Sequence, residues 1–90
     1  MAAVYRIDFT PSAIRDLRKL PVAAQRRIGH KLQWFMEQVD PLAFARPLVG
    51  TTAVGQYRFR MGQYRVVFDK HGRALTILMV EHRREVYRRR

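Results

Sequence analysis

The residues in this chain best suited to chemistry are three arginines on one short stretch, Arg58, Arg60 and Arg65, and a group further on, His82, Arg83 and Tyr87. Tyr57, Phe59 and Met61 alternate with Arg58 and Arg60, the period-two pattern of a half-buried strand. A two-residue loop at Gly62-Gln63 pairs Met61 with Tyr64, Arg60 with Arg65, Phe59 with Val66 and Arg58 with Val67. The three arginines then share a face, with Arg60 directly across from Arg65. Like charges so placed destabilise a sheet by about 0.2–1 kcal/mol. A cationic face of that kind suits a polyanion.

The chemistry that such a group can do is cleavage of RNA by transesterification. The 2′-hydroxyl attacks the adjacent phosphorus, charge builds on the non-bridging oxygens and the 5′-oxygen leaves. Guanidinium groups can clamp the phosphate and hold the attack in line. Proton transfer is harder. Arginine titrates above pH ~12 and tyrosine near ~10, so neither is a ready base at neutral pH. Surrounding cations favour a phenolate, which leaves Tyr87 as base, as orienting hydroxyl or as a ring capping the core. His82, with an ordinary pKa near ~6.5, is the secondary candidate for the proton. His30, mid-helix, and His71, in a turn, read as surface residues. The three histidines and seven carboxylates show no metal-ligand spacing, so neither metal nor other cofactor is expected.

Composition narrows the partner. Eighteen Lys+Arg against seven Asp+Glu give a net charge of +11, and fifteen of the eighteen are arginine. Arginine is suited to bidentate phosphate contacts and to stacking on bases. The expected partner is therefore nucleic acid or an acidic protein. Ninety residues make one domain, taken as 1–90. Cysteine is absent, which excludes a disulfide framework and a thiolate metal site. Charge in the first residues argues against a signal peptide, and no apolar run approaches membrane-spanning length. A cytoplasmic protein with no membrane association is expected.

The elements that must position these residues follow from pattern. Residues 3–9 alternate as a first strand. Thr10-Pro11 is a helix N-cap with proline at the first helical position. The helix that follows is expected to carry Ile14, Leu17 and Leu20 inward, and Pro21 to separate it from a second. Ile28, Leu32, Phe35 and Val39 form one stripe of that second helix, 22 to about 39. Gly29 weakens it by ~1 kcal/mol against alanine, for which close approach of the two helices is the expected reason. Trp34 reads as peripheral core or as part of a partner-binding surface. Residues 42–54 read as a loop anchored by Leu48. Strands at 57–61, 64–69 and 73–80 come next, the last apolar on both faces and so central, before a short C-terminal segment. The order β-α-α-β-β-β gives an α+β domain, a twisted antiparallel sheet packed against an α-helical hairpin.

The stretch PLVGTTAVGQYRFRMGQYRVVF, followed by HRREVY, resembles the RelE/ParE superfamily of small bacterial toxins from type II toxin–antitoxin pairs. The resemblance runs from Val4 to Tyr87. It implies, for the RelE-like branch, a ribosome-dependent endoribonuclease (an mRNA interferase) that cuts messenger RNA in the A site and inhibits translation. It places Arg58, Arg60, Arg65, Arg83 and Tyr87 in the catalytic group, with Arg84 and Arg88 added to the RNA-binding arginines. It implies a cognate acidic antitoxin in a hetero-oligomeric complex, bound to operator DNA through the antitoxin. One departure is Glu81, where relatives usually carry glycine; a carboxylate there is expected to pair with Arg83. The competing functions are a ParE-type DNA gyrase inhibitor without catalysis and a non-catalytic RNA- or DNA-binding module.

Overall fold

A computed structural model describes residues 5–48 and 56–82. Strand β1 (Arg6–Phe9) leads into helices α1 (Pro11–Arg18) and α2 (Val22–Met36). A 3-10 turn (Pro41–Phe44) and the two-residue strand β2 (Arg46–Pro47) follow, then β3 (Tyr57–Met61), β4 (Tyr64–His71) and β5 (Ala74–His82). The sheet order is β1-β5-β4-β3-β2. The domain is α+β, as expected, and β5 lies inside the sheet with β1 and β4 as its neighbours.

Local chemistry accounts for the helix boundaries. Thr10 Oγ1 accepts the Ala13 amide at 3.1 Å, and Pro11 occupies the first turn, where its missing N–H is not needed. Pro21 is the N-cap of α2. That helix stops at Met36, three residues short of the expected end, so Val39 falls outside it and is 94% exposed. Asp40 then caps the 3-10 turn by accepting the Leu42 amide at 3.2 Å. Ile14 is also more exposed than its spacing suggested. Ala13 fills the α1 contact instead, at 0% exposure, because the helix lies close over β5. Gly29 faces open space: a Cβ there would meet nothing within 4 Å, so close helix approach does not explain it.

The core is a file of aromatic rings between sheet and helix. Phe59 stacks on Phe68 at 4.6 Å and on Phe35 of α2 at 4.3 Å, and Tyr57 stacks on Phe68 at 5.6 Å. Ile28, Leu32, Val66, Leu75, Ile77 and Val80 close around them. Each large side chain so buried contributes about 1.5–3 kcal/mol.

Two features of the sheet depart from the sequence expectation. The strands from β2 to β5 are antiparallel, but β1 joins β5 in parallel. Parallel neighbours need a long crossover, and here the rest of the chain supplies it. The second feature is a bulge. Val67 pairs with Met79 while Phe68 pairs with Ile77, leaving Leu78 extra on β5. The α1 region holds the bulged segment: Thr10 Oγ1 donates to the Ile77 carbonyl at 2.9 Å, and Asp16 Oδ2 accepts the Val80 amide at 3.1 Å. An extra residue reverses the alternation beyond it. Ile77 and Val80 therefore both point to the core, and Glu81 is delivered to the opposite face.

Candidate functional site

The β3–β4 hairpin has the register read from the sequence: Met61 opposite Tyr64, Arg60 opposite Arg65, Phe59 opposite Val66 and Arg58 opposite Val67. Gly62 begins the loop at φ +61°, a conformation that glycine adopts without a Cβ penalty. Phe59, Met61 and Val66 face the core. Arg58, Arg60 and Arg65, each one residue out of phase with these, therefore lie on the side away from it. Arg60 is exposed, while Arg58 and Arg65 are half-buried.

A fourth arginine joins them. Arg46 of β2 is in register with Arg58. Its strand is only two residues long, too short for any periodicity to mark, and it sits where the sequence reads as loop. The remaining sequence signal is the Arg-Pro pair, with a proline fit for an edge strand. Arg58 bears the consequence of the crowding. Burial, with the charges of Arg65, Arg60 and Arg46, pushes its pKa below the ordinary arginine value. Its Nε is buried and has no hydrogen-bond partner among the described residues.

Arg65 is differently placed. Its Nε and Nη2 both donate to Glu81 Oε2, at 3.2 and 2.8 Å. The two residues are direct cross-strand partners, and their side chains are 31% and 14% exposed. Glu81 thus lies against Arg65; its expected pairing with Arg83 falls outside the described residues. The β5 bulge makes this contact possible, and no local pattern in the sequence announces it.

His82 ends β5 opposite Tyr64, with the rings edge-to-face at 5.1 Å. Its Nε2 lies 3.1 Å from Gln63 Oε1 in the hairpin loop. This places an imidazole at the hairpin tip, but one residue out of phase with Glu81 and so on the core side of the sheet, opposite the arginine face. Arg83, Arg84, Tyr87 and Arg88 lie outside the described residues. His30 and His71 are exposed, as expected. Among the described residues no three of His, Asp and Glu gather as a metal site.

Near the tip of the hairpin lies a cleft of about 530 Å³, lined by Arg27, His30, Lys31, Trp34, Met61 and Gly62. Trp34 is 42% exposed and meets Phe44, itself 44% exposed, at 5.1 Å edge-to-face. Lys31 Nζ lies 5.0 Å from the Trp34 ring centroid. Trp34 is thus both peripheral core and an exposed aromatic surface.

The arrangement is a cationic sheet face that can bind phosphates, one arginine of which is already matched by a carboxylate. Known proteins share the sequence pattern and the fold that carry it. Residues 7–87 match the family described as ParE toxin of the type II toxin–antitoxin system, parDE. The chain is 34% identical over 89 residues to Toxin RelG of Mycobacterium tuberculosis, spanning 94% of this chain and 98% of RelG. Its fold matches a chain of the crystal structure of the toxin–antitoxin complex RelBE2 from the same organism. There the TM-score is 0.76 and the identity 30%, over 88% of this chain and 98% of that one. The RelE–RelB complex from Pyrococcus horikoshii matches with TM-score 0.69 at 27% identity, over 89% of this chain and 96% of that one. The chain therefore belongs to the ParE toxin family, within the RelE/ParE superfamily of type II toxin–antitoxin toxins.

Proposed function

We propose that this toxin is a ribosome-dependent endoribonuclease of the RelE type. It cuts messenger RNA in the A site by metal-independent attack of the 2′-hydroxyl. The observation that carries the reading is the Arg60–Arg65 cross-strand pair, flanked by Arg58 on the same face. Guanidinium groups so placed hold the RNA strand by its phosphates, and the Arg60–Arg65 pair neutralises the charge that builds on the reacting phosphodiester in the transition state. Arg83 and Tyr87 complete the group in this reading. Tyr87 serves as base or orienting hydroxyl; His82 stays secondary to it as a source of proton transfer, because its side chain leaves β5 on the side opposite the arginines. The ribosome aligns the strand, so free RNA is a poor substrate. Arg84 and Arg88 extend the RNA contact.

The partner in this reading is an acidic antitoxin. Net charge +11 attracts an acidic segment, and solved relatives are toxin–antitoxin complexes. The complex binds operator DNA through the antitoxin and resides in the cytoplasm. A second reading, a ParE-type gyrase inhibitor without chemistry, is favoured by the description of the matched family. Inducible expression separates the two. The nuclease predicts new messenger RNA 5′ ends within translated frames, mapped within minutes of induction. Accumulation of gyrase–DNA cleavage complexes with unbroken messenger RNA would instead establish the second reading.

A further inference from the structure

Of the four arginines on the open face, only Arg65 is matched by a carboxylate among the described residues. Arg46 and Arg58 are cross-strand partners at the β2 side of the sheet, with no acidic group hydrogen-bonded to either among those residues. Directly opposed like charges repel. The Arg58 Nε is buried without a partner, and a buried donor left unmade costs more than a satisfied one gains. Burial and the three neighbouring cations also weigh against the Arg58 charge. An anion set between Arg46 and Arg58 offsets the repulsion between them and the weight of the neighbouring cations on the Arg58 charge. At the Arg65 end, by contrast, an incoming anion meets the Glu81 carboxylate.

We infer that Arg46 and Arg58 form a phosphate-binding subsite of their own, which takes a phosphodiester of the RNA strand next to the one held at Arg60 and Arg65. This rests on the RNA-binding reading of the same face. Arg58 and Arg60 are two residues apart along β3, an advance of about 6.8 Å, which is of the order of the step between neighbouring phosphates in an extended single strand. Binding energy then resides chiefly at Arg46–Arg58, and the Arg60–Arg65 end is left to act on the reacting phosphate. A planar guanidinium fork suits this role better than a lysine ammonium.

The test is equilibrium binding of a short single-stranded RNA carrying 2′-deoxy linkages, which cannot be cut, measured across a salt series. Arg46→Gln should raise Kd about tenfold, the effect of one lost charge-assisted contact. It should also reduce the slope of log Kd against log salt by about 0.7, the value for one phosphate of a single strand. Arg46→Lys should recover the slope but only part of the affinity. Arg15→Gln on α1, an exposed arginine away from this face, is the control for net charge and should change Kd little. Equal small effects of Arg46→Gln and Arg15→Gln would overturn the subsite. So would an Arg46→Gln protein that binds RNA normally but loses its antitoxin, since the pair would then be a protein contact. Absence of RNA binding by the parent protein would overturn the subsite, while the ribosome-dependent nuclease reading would stand or fall on cleavage of ribosome-bound RNA. Normal parent binding that Arg60→Gln weakens and Arg46→Gln does not would defeat the subsite alone.

Discussion

Arg65 and Glu81 set the behaviour of the site at the scale of single residues. The hairpin pattern places Arg65 on the open face, and that placement holds, but the sequence gives no sign that a carboxylate will meet it at 2.8 Å. A pair this close competes with phosphate for the same guanidinium. Glu81→Gln keeps the shape and removes the charge, so RNA should bind several-fold tighter, as measured by the Kd of an uncleavable strand. Unchanged or weaker binding would show that Glu81 orients Arg65 rather than opposing the anion. Arg58 makes a second residue-scale case. Its folded pKa lies below the unfolded one, so its cation opposes folding at every pH below the folded value. That penalty is present throughout the neutral range and is relieved only in strong alkali. Arg58→Met retains the aliphatic stem and should raise Tm slightly, since solvent screens most of the repulsion. The gain should be equal at pH 6 and pH 9, smaller in high salt, and accompanied by weaker RNA binding. A lower Tm would mean that the charge is compensated in the folded state.

The elements that carry these residues were legible to different degrees. The β3–β4 hairpin follows from alternation and a glycine turn, both local, and its register is as read. The Thr10-Pro11 cap is equally local. The β5 bulge was not legible, because it depends on Thr10 and Asp16 reaching β5 from far along the chain. Strand β2 was invisible for another reason: two residues carry no period, and only pairing with β3 makes them a strand. Arg46 was missed with it. Asp16 supports the bulge through the Val80 amide, so Asp16→Ala should lower stability by about 1–2 kcal/mol in denaturant unfolding and loosen the Glu81–Arg65 register. No loss of stability would show that the bulge stands without α1. In α2, Gly29 has open space around it. Gly29→Ala should therefore stabilise the fold by up to ~1 kcal/mol through helix propensity, read as a rise in the urea midpoint at constant slope. Destabilisation would point to a contact at that position.

For the whole molecule, the decisive quantity is the excess of positive charge. A +11 chain gains long-range attraction to a polyanion, and in the proposed function both RNA and an acidic antitoxin draw on it. Among the described residues two surfaces are available: the arginine face, and the Arg27–Lys31–Trp34 cleft near the hairpin tip. If the antitoxin covers the arginine face, titrating it into a toxin–RNA complex should release the RNA. Simultaneous binding of both would move the antitoxin to the cleft, where the Trp34 emission reports its arrival.

In the proposed function the open arginine face cuts messenger RNA on the ribosome. The most direct measurement is single-turnover cleavage of end-labelled messenger RNA in programmed ribosomes by the purified toxin. Arg60→Ala is the variant to set beside it, since Arg60 is exposed; Arg65→Ala would also remove the guanidinium against which Glu81 lies. Wild-type protein should cut within the A-site codon, and Arg60→Ala should cut about 10²–10³-fold more slowly with its fold unchanged by circular dichroism. A folded Arg60→Ala protein that cuts at the wild-type rate, or a wild-type protein that leaves ribosome-bound RNA intact, would contradict the account.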